Sequence, residues 1–509
     1  MKKSRCYFVA GLSVLLLLCG GSAVFAQGLS PVKHCTGVYV GKNLTADGSV
    51  LIGQTGDENS SHWIEAIDRQ EHAKNATIEV GVDSKANYPG KRIRIPQVAE
   101  TNKYITVRYT EYKGFAPPLE NGGINEHQVS IVDVWSPSRE ELAAMTPEGQ
   151  TGLTYSDEAR VAMERATSAE EAVKIIGRMV EEYGHATYGG NSHLIADVNE
   201  GWFIEEFAGG QGLWVAKRLG PDDFKVIRPG WIKEVPLDYK DNPDYMGSDN
   251  LVTFAVEQGW YDPDSGKPFN VSKIYESDRD MESFGEGINP DPEKKPGHQI
   301  KTEEIEYAEK YLSEKAPEIT VQDVIKLFKE RPFTNRGTKY GQIAQLRADM
   351  PDELGVLWIA VGPPEDSIFV PYYSGISEVP MEFRQHRYLT KGEAMRFSLP
   401  KERQGQETTR YAYRTFDRLF MLVDEHYDAF YPELSEAFRS FEGQLFDRQD
   451  EIESIALNLI ENGKTDLAKQ YLTYYTNTEA SKALDLAQLM AESMTSRTKL
   501  LFGIRPLPN

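Results

Sequence analysis

Alternating apolar and polar positions from Cys35 to Lys42, the turn signal Ala46-Asp47-Gly48 and a second apolar-rich run from Ser49 to Gln54 predict a β-hairpin. Such a hairpin puts Cys35 at the free end of a sheet and brings Gln54 to Asp57 back towards it. Similar patterning predicts strands over 104–110 and 124–135. Helical periods follow at 139–147, 156–166 and 168–183, where Ala169, Ala172, Ile175, Ile176 and Met179 share one face. Strands are expected again at 192–198, 202–207 and 212–216. Residues 228–300 are rich in Pro, Gly, Asp and Asn without a clear period, which predicts long surface loops. Helices at 302–314 and 320–330 lead back to strands at 341–346, 355–361 and 367–371. The last hundred residues have helical patterns at 406–439, 443–462 and 464–495 and are expected to pack as a helical appendage.

The first residues have a different logic. Lys2, Lys3 and Arg5 precede an apolar stretch from Val9 to Leu18, and small residues lead to Ala23-Val24-Phe25-Ala26. That order is the pattern of a secretory signal peptide, so residues 1–26 are expected to be removed and the protein exported, to the periplasm or the extracellular space. A lipid anchor on Cys19 is the weaker alternative, because Leu18 stands where a small residue is expected. Residues 27–34 form a short connector with no period. No later segment approaches the ~20 apolar residues that span a bilayer.

Composition adds limits. With 40% hydrophobic and 11% aromatic residues in 509, the chain can bury a large core. Its formal net charge is −22, and residues 1–34 hold four basic and no acidic side chains, so the remainder is more negative still. Such a surface repels polyanions and makes nucleic acid an improbable partner.

Cysteine content changes the picture more. Of three cysteines, Cys6 and Cys19 lie in the signal region, which leaves Cys35 as the lone thiol of the expected mature chain. It is either an inert buried residue, an intermolecular crosslink or a working nucleophile. If processing exposes Cys35 as the first residue, one residue carries both a thiol and an α-amine whose reference pKa is about 7.7–8.0, a nucleophile with its own base.

The run Cys35-Thr36-Gly37-Val38-Tyr39-Val40-Gly41-Lys42, followed by Ala46-Asp47-Gly48-Ser49-Val50-Leu51-Ile52-Gly53 and Asp57, resembles the opening of the C69 dipeptidases, within the N-terminal nucleophile hydrolases. The resemblance continues in Gly123-Ile124-Asn125-Glu126, Trp202-Phe203-Ile204-Glu205, Glu257-Gln258-Gly259-Trp260-Tyr261-Asp262-Pro263, Ala344-Gln345-Leu346-Arg347, Val356-Leu357-Trp358 and Val370-Pro371-Tyr372-Tyr373. It implies an α+β protein with a four-layer αββα sandwich, leader removal at Cys35, and hydrolysis of dipeptides or short peptides with no metal or other cofactor. The organisation expected is a signal at 1–26, a propeptide at 27–34, a hydrolase domain at 35–395 and a helical region at 396–509.

By the same resemblance Asp57 matches the aspartate that holds the nucleophile and its amine, although an Asp beside Gly56 also suits a surface turn. Asn125 matches the Asn-Glu motif and is a candidate oxyanion donor, with a turn role after Gly122-Gly123 as the alternative. Two positions depart from the superfamily. Gln54 stands where relatives often have arginine, and becomes a candidate substrate contact. Neither Arg228 nor Pro229 supplies the later asparagine, which leaves Asn191 as a substitute or as an ordinary loop amide.

Other chemistries lack their signatures: no His-Glu-x-x-His, Cys-x-x-Cys, Walker loop or Gly-x-Ser-x-Gly is present. His62, His72, His127, His185 and His193 could each complete a papain-like dyad, but the surroundings of Cys35 do not match that family. The rival readings are a hydrolase of a non-peptide amide, such as an N-acyl amino acid or conjugated bile acid, and a secreted binding protein without activity. Small peptides are the expected partners, and self-association is left open.

Overall fold

The structure is a computed structural model that describes residues 35–57, 60–109, 114–228, 232–276, 298–331, 333–335, 337–384 and 410–503. The expected leader and the boundary at 395/396 lie outside these residues. In chain order the principal strands are β1 Thr36–Val40, β2 Val50–Asp57, β3 His62–Ile67, β4 Tyr104–Tyr109, β5 Leu119–Asn125, β6 Ser130–Val134, β7 Asn191–Ala196, β8 Gly201–Glu206, β9 Trp214–Leu219, β10 Phe224–Ile227, β11 Tyr245–Gly247, β12 Thr338–Leu346, β13 Val356–Val361 and β14 Val370–Tyr373. The principal helices are α1 Tyr155–Arg165, α2 Ala169–Tyr183, α3 His298–Lys315, α4 Val321–Lys329, α5 Ala412–Glu425, α6 Tyr427–Glu461 and α7 Thr465–Phe502.

Two sheets stack face to face. One is six-stranded in the order β10-β1-β2-β12-β13-β14; the other is eight-stranded in the order β11-β9-β8-β7-β6-β5-β4-β3. Every residue of β1, β5, β6, β7 and β8 is buried, because each of these strands is covered on both faces. Val38, Val40 and Ile52 of the first sheet share one core with Val132, Val134, Leu194 and Phe203 of the second. On the far side of the second sheet Ile131, Ile195, Ile204 and Trp214 meet the apolar faces of α1 and α2. The helix starts are written locally: Thr154 and Asp157 form a capping box at α1, and the Ser168 hydroxyl accepts from the Glu171 N–H at α2.

The outer layer on the first sheet comes largely from the C-terminus. Leu419, Phe438, Leu472 and Leu484 of α5 to α7 belong to the same core as Trp358 and Tyr372 of β13 and β14. The Arg347 guanidinium, just past β12, makes a two-pronged ion pair with Glu453 of α6, at 2.6 and 2.8 Å. Thr476 of α7 donates to the Pro371 carbonyl at 3.0 Å. The helices expected as an appendage are therefore the fourth layer of an αββα sandwich. Among the described residues no helix is long and apolar enough to cross a membrane.

Two local expectations change. The single strand expected over 124–135 is a hairpin, β5 and β6, with a tight turn at 126–129 in which Gln128 has φ 53°. Asn125 makes that turn, its Oδ1 accepting from the N–H groups of His127 and Val129 at 3.0 Å each. The region expected as loops over 228–300 contributes β11 to the edge of the second sheet and two short helices, Leu251–Glu257 and Val271–Tyr275.

Candidate active site

Cys35 is half-buried and immediately precedes β1, which lies between β2 and β10 rather than at a sheet edge. Thr36 pairs with Thr55, so the end of β2 runs past the thiol, and the Asp57 N–H points at Cys35 Sγ from 3.5 Å. A backbone donor in that position favours the thiolate. The Asp57 carboxylate is held in turn by the Asn335 amide at 2.8 Å and by the Thr338 hydroxyl. The turn that carries this pair is locked by its own bonds, with the Gly337 N–H on Asn335 Oδ1 at 2.6 Å and the Asn335 N–H on Thr338 Oγ1 at 3.0 Å.

The other flank of Cys35 is clamped by a charge. Arg228 follows β10 and is fully buried; its Nη1 donates to Thr36 Oγ1 at 2.6 Å and its Nε pairs with Glu304 of α3 at 2.9 Å. The guanidinium lies 5.0 Å from the Phe333 ring centroid, and the Phe333 carbonyl accepts from Thr55 at 3.2 Å. Thr36 and Thr55, the pair next to Cys35, are thus tied into one buried network. Asn335, Thr338 and Glu304 were absent from the sequence reading, and Arg228 entered it only as a position lacking an expected asparagine. Only the turn-like Asn335-Arg336-Gly337 ahead of a strand gave any signal for them.

The expected site residues divide into groups. Cys35 and Asp57 come together as described. Gln54 lies opposite Gly37 and bridges the two sheets: its Oε1 accepts from the Asp133 N–H at 2.6 Å, and its Nε2 donates to the Tyr340 hydroxyl. Both ends of the side chain are engaged, so its place is behind the thiol as a spacer between sheets.

Asn191 opens β7 on the facing sheet, next to the Ser192–Val134 pair and at the end of the sandwich where Cys35 sits. Its Oδ1 accepts from the Tyr188 hydroxyl at 3.1 Å, beside an aromatic group of Trp135, Tyr155 and Phe115.

Asn125 is not brought to Cys35. It stands by the β5–β6 turn at the opposite end, where Gln128 bonds to the Arg347 carbonyl at 3.1 Å. Its amide hydrogens go to the carbonyls of Met163 and Ala166 at 3.1 and 2.8 Å. Of the two readings open for this residue, the geometry supports the turn.

Of the candidate histidines, His62 stacks on Tyr340 and Tyr109, with centroids 4.8 and 5.7 Å away. His185 and His193 are buried against Glu158 and Glu206.

The family model for peptidase family C69 matches residues 34–285. A probable dipeptidase B of Streptococcus pyogenes serotype M3 is 26% identical over 400 residues, covering 70% of this chain and 75% of the relative. Probable dipeptidases of Latilactobacillus sakei and Salmonella dublin are 25% and 27% identical, covering 78% and 70% of this chain and 83% and 84% of their own lengths. A mutant of the conjugated bile acid hydrolase from Clostridium perfringens aligns at 12% identity and a TM-score of 0.28, over 66% of this chain and 96% of that one.

Proposed function

This chain belongs to peptidase family C69 and is a peptide hydrolase, and from that premise we propose that it is an exported dipeptidase whose nucleophile is Cys35 as the first residue of the mature chain. The observation that carries the reading is the Asp57 N–H at 3.5 Å from Cys35 Sγ, on a residue whose carboxylate is itself held by Asn335 and Thr338. Cys35 passes its thiol proton to its own α-amine, and Asp57 orients the resulting ammonium. The thiolate adds to the peptide carbonyl, forming the S–C bond. Backbone N–H groups beside Cys35 take the oxyanion. The C–N bond then breaks as the ammonium returns its proton to the leaving amine, and water hydrolyses the thioester to free the acid and regenerate the thiol. The names of the dipeptidase relatives support a dipeptide substrate, and the basic, apolar and small-residue order of residues 1–26 supports export.

Intact-mass measurement of the secreted protein tests both halves: the chain is expected to begin at Cys35 and to take one equivalent of iodoacetamide with complete loss of dipeptide hydrolysis. An active enzyme that still carries residues 27–34 would exclude the α-amine as base.

A further inference from the structure

Glu158 of α1, His193 of β7 and Glu206 at the end of β8 meet between the second sheet and its helices, all three fully buried, with one ligating atom from each within 4.8 Å of the others. His193 alternates along β7 with Leu194, which belongs to the core between the sheets. It therefore faces the helix side, away from the layer that holds Cys35. His185, after α2, donates from Nδ1 to Glu158 Oε1, 2.8 Å away, and His193 Nδ1 lies 2.9 Å from Glu206 Oε1. Each carboxylate has a second oxygen with no hydrogen-bond partner, Glu158 Oε2 and Glu206 Oε2. Two half-satisfied carboxylates in a dry site are costly unless a cation or a proton compensates them.

We infer that Glu158, Glu206 and His193 form a structural site for a divalent transition-metal ion, with Zn²⁺ as the best match. The donor set of two carboxylate oxygens and one imidazole is a mixed N/O set of the kind Zn²⁺ accepts. His193 Nε2 lies 3.2 Å from the Tyr155 carbonyl, which can only accept, so Nε2 carries the hydrogen and Nδ1 is the nitrogen turned to the carboxylates. His185 stands behind Glu158 in the same way, holding Oε1 so that Oε2 is left to bind. With bonds of about 2.1 Å, tetrahedral ligands stand about 3.4 Å apart, a contraction that side-chain rotations of under ~1 Å supply.

The Cys35→Ala chain, which removes the thiol as a competing ligand, is stripped with EDTA and titrated with Zn²⁺ near neutral pH by calorimetry. One ion per chain is expected. Affinity falls roughly 100-fold or more in Glu206→Gln and Glu158→Gln, and roughly 10-fold in His185→Gln. X-ray absorption at the zinc edge of the loaded protein reads the ligands without any variant, and one imidazole among oxygen ligands is expected. No stoichiometric site in the folded Cys35→Ala chain overturns the inference. So does a spectrum with two or more imidazoles, or unchanged affinity in folded Glu206→Gln and Glu158→Gln.

Discussion

Asn335 directs its amide at the Asp57 carboxylate, whereas Asn125, the candidate suggested by a motif, directs its own at two carbonyls of the helix layer. The two substitutions should separate cleanly. Asn335→Ala frees Asp57 beside Cys35, the proposed nucleophile, and is expected to lower kcat/KM roughly 100-fold with little change in Tm, since misplacement by about 1 Å carries a cost of that order. Asn125→Ala strands the His127 and Val129 N–H groups, while the Met163 and Ala166 carbonyls keep the Asn102 amide as a donor, so it should destabilise by about 2 kcal/mol and leave kcat of the folded fraction unchanged. Dipeptide kinetics and thermal melts of both variants check the pair; a larger kinetic loss in Asn125→Ala reverses the assignment.

Cys35 and Asp57 were legible because a single hairpin brings them together across 22 positions. Arg228 and Asn335 reach them through strand pairing over 192 and 278 positions, a register that no local pattern encodes. The buried group of Glu158, His193 and Glu206 was hidden for the same reason: it is assembled from one helix and two strands and has no ligand spacing along the chain.

At the scale of elements, patterns repeating every three or four residues located α1, α2 and α4, because amphipathic stripes and caps are local. The β5–β6 hairpin was merged into one strand because its turn is made by Asn125 and by left-handed backbone at Gln128 rather than by a Gly or Pro pair. Gly122, ahead of that turn, has φ 69°, and a Cβ there would stand 1.9 Å from the Ile131 carbonyl oxygen. Gly122→Ala is therefore expected to prevent accumulation of soluble protein, read by expression yield.

At α4, Thr320 and Asp323 form a capping box, so Thr320→Ala should cost about 1 kcal/mol in a chemical melt. Burial works against ionisation of Asp323, but hydrogen bonds from Thr320 and Lys315 outweigh it and hold the carboxyl below its ordinary value. A depressed folded pKa contributes stability that is present above the ordinary carboxylate range and lost as pH falls through the folded value. The Thr320→Ala penalty should accordingly shrink in acid, which melts at pH 7 and at pH 3 would compare.

At the scale of the whole molecule, what the sequence left out is where the C-terminal helices pack. The patterns at 406–439, 443–462 and 464–495 were expected to pack as a helical appendage, yet the buried faces of the helices observed there complete the core of the first sheet. Helical periodicity shows that a face is apolar without showing what it faces. Glu453→Ala would leave Arg347 buried and uncompensated, at a cost of about 3–5 kcal/mol. A chain ended before α5 should be insoluble, in contrast to the behaviour of a detachable module; solubility of the truncated protein decides between them.

The position of β1 has a further consequence for how the enzyme comes into being. Its strand is hydrogen-bonded on both sides, to β2 and to β10, and β10 arrives some 190 residues later. If Cys35 itself cuts the leader, the cut must wait until distant parts of the polypeptide have come together around it. Cleavage would then act as a proofreading step: copies that never assemble keep their leader and stay catalytically silent, and a cell secreting this protein would release no half-formed peptidase. The ratio of cut to uncut chains in a culture would be a direct count of successful folding events.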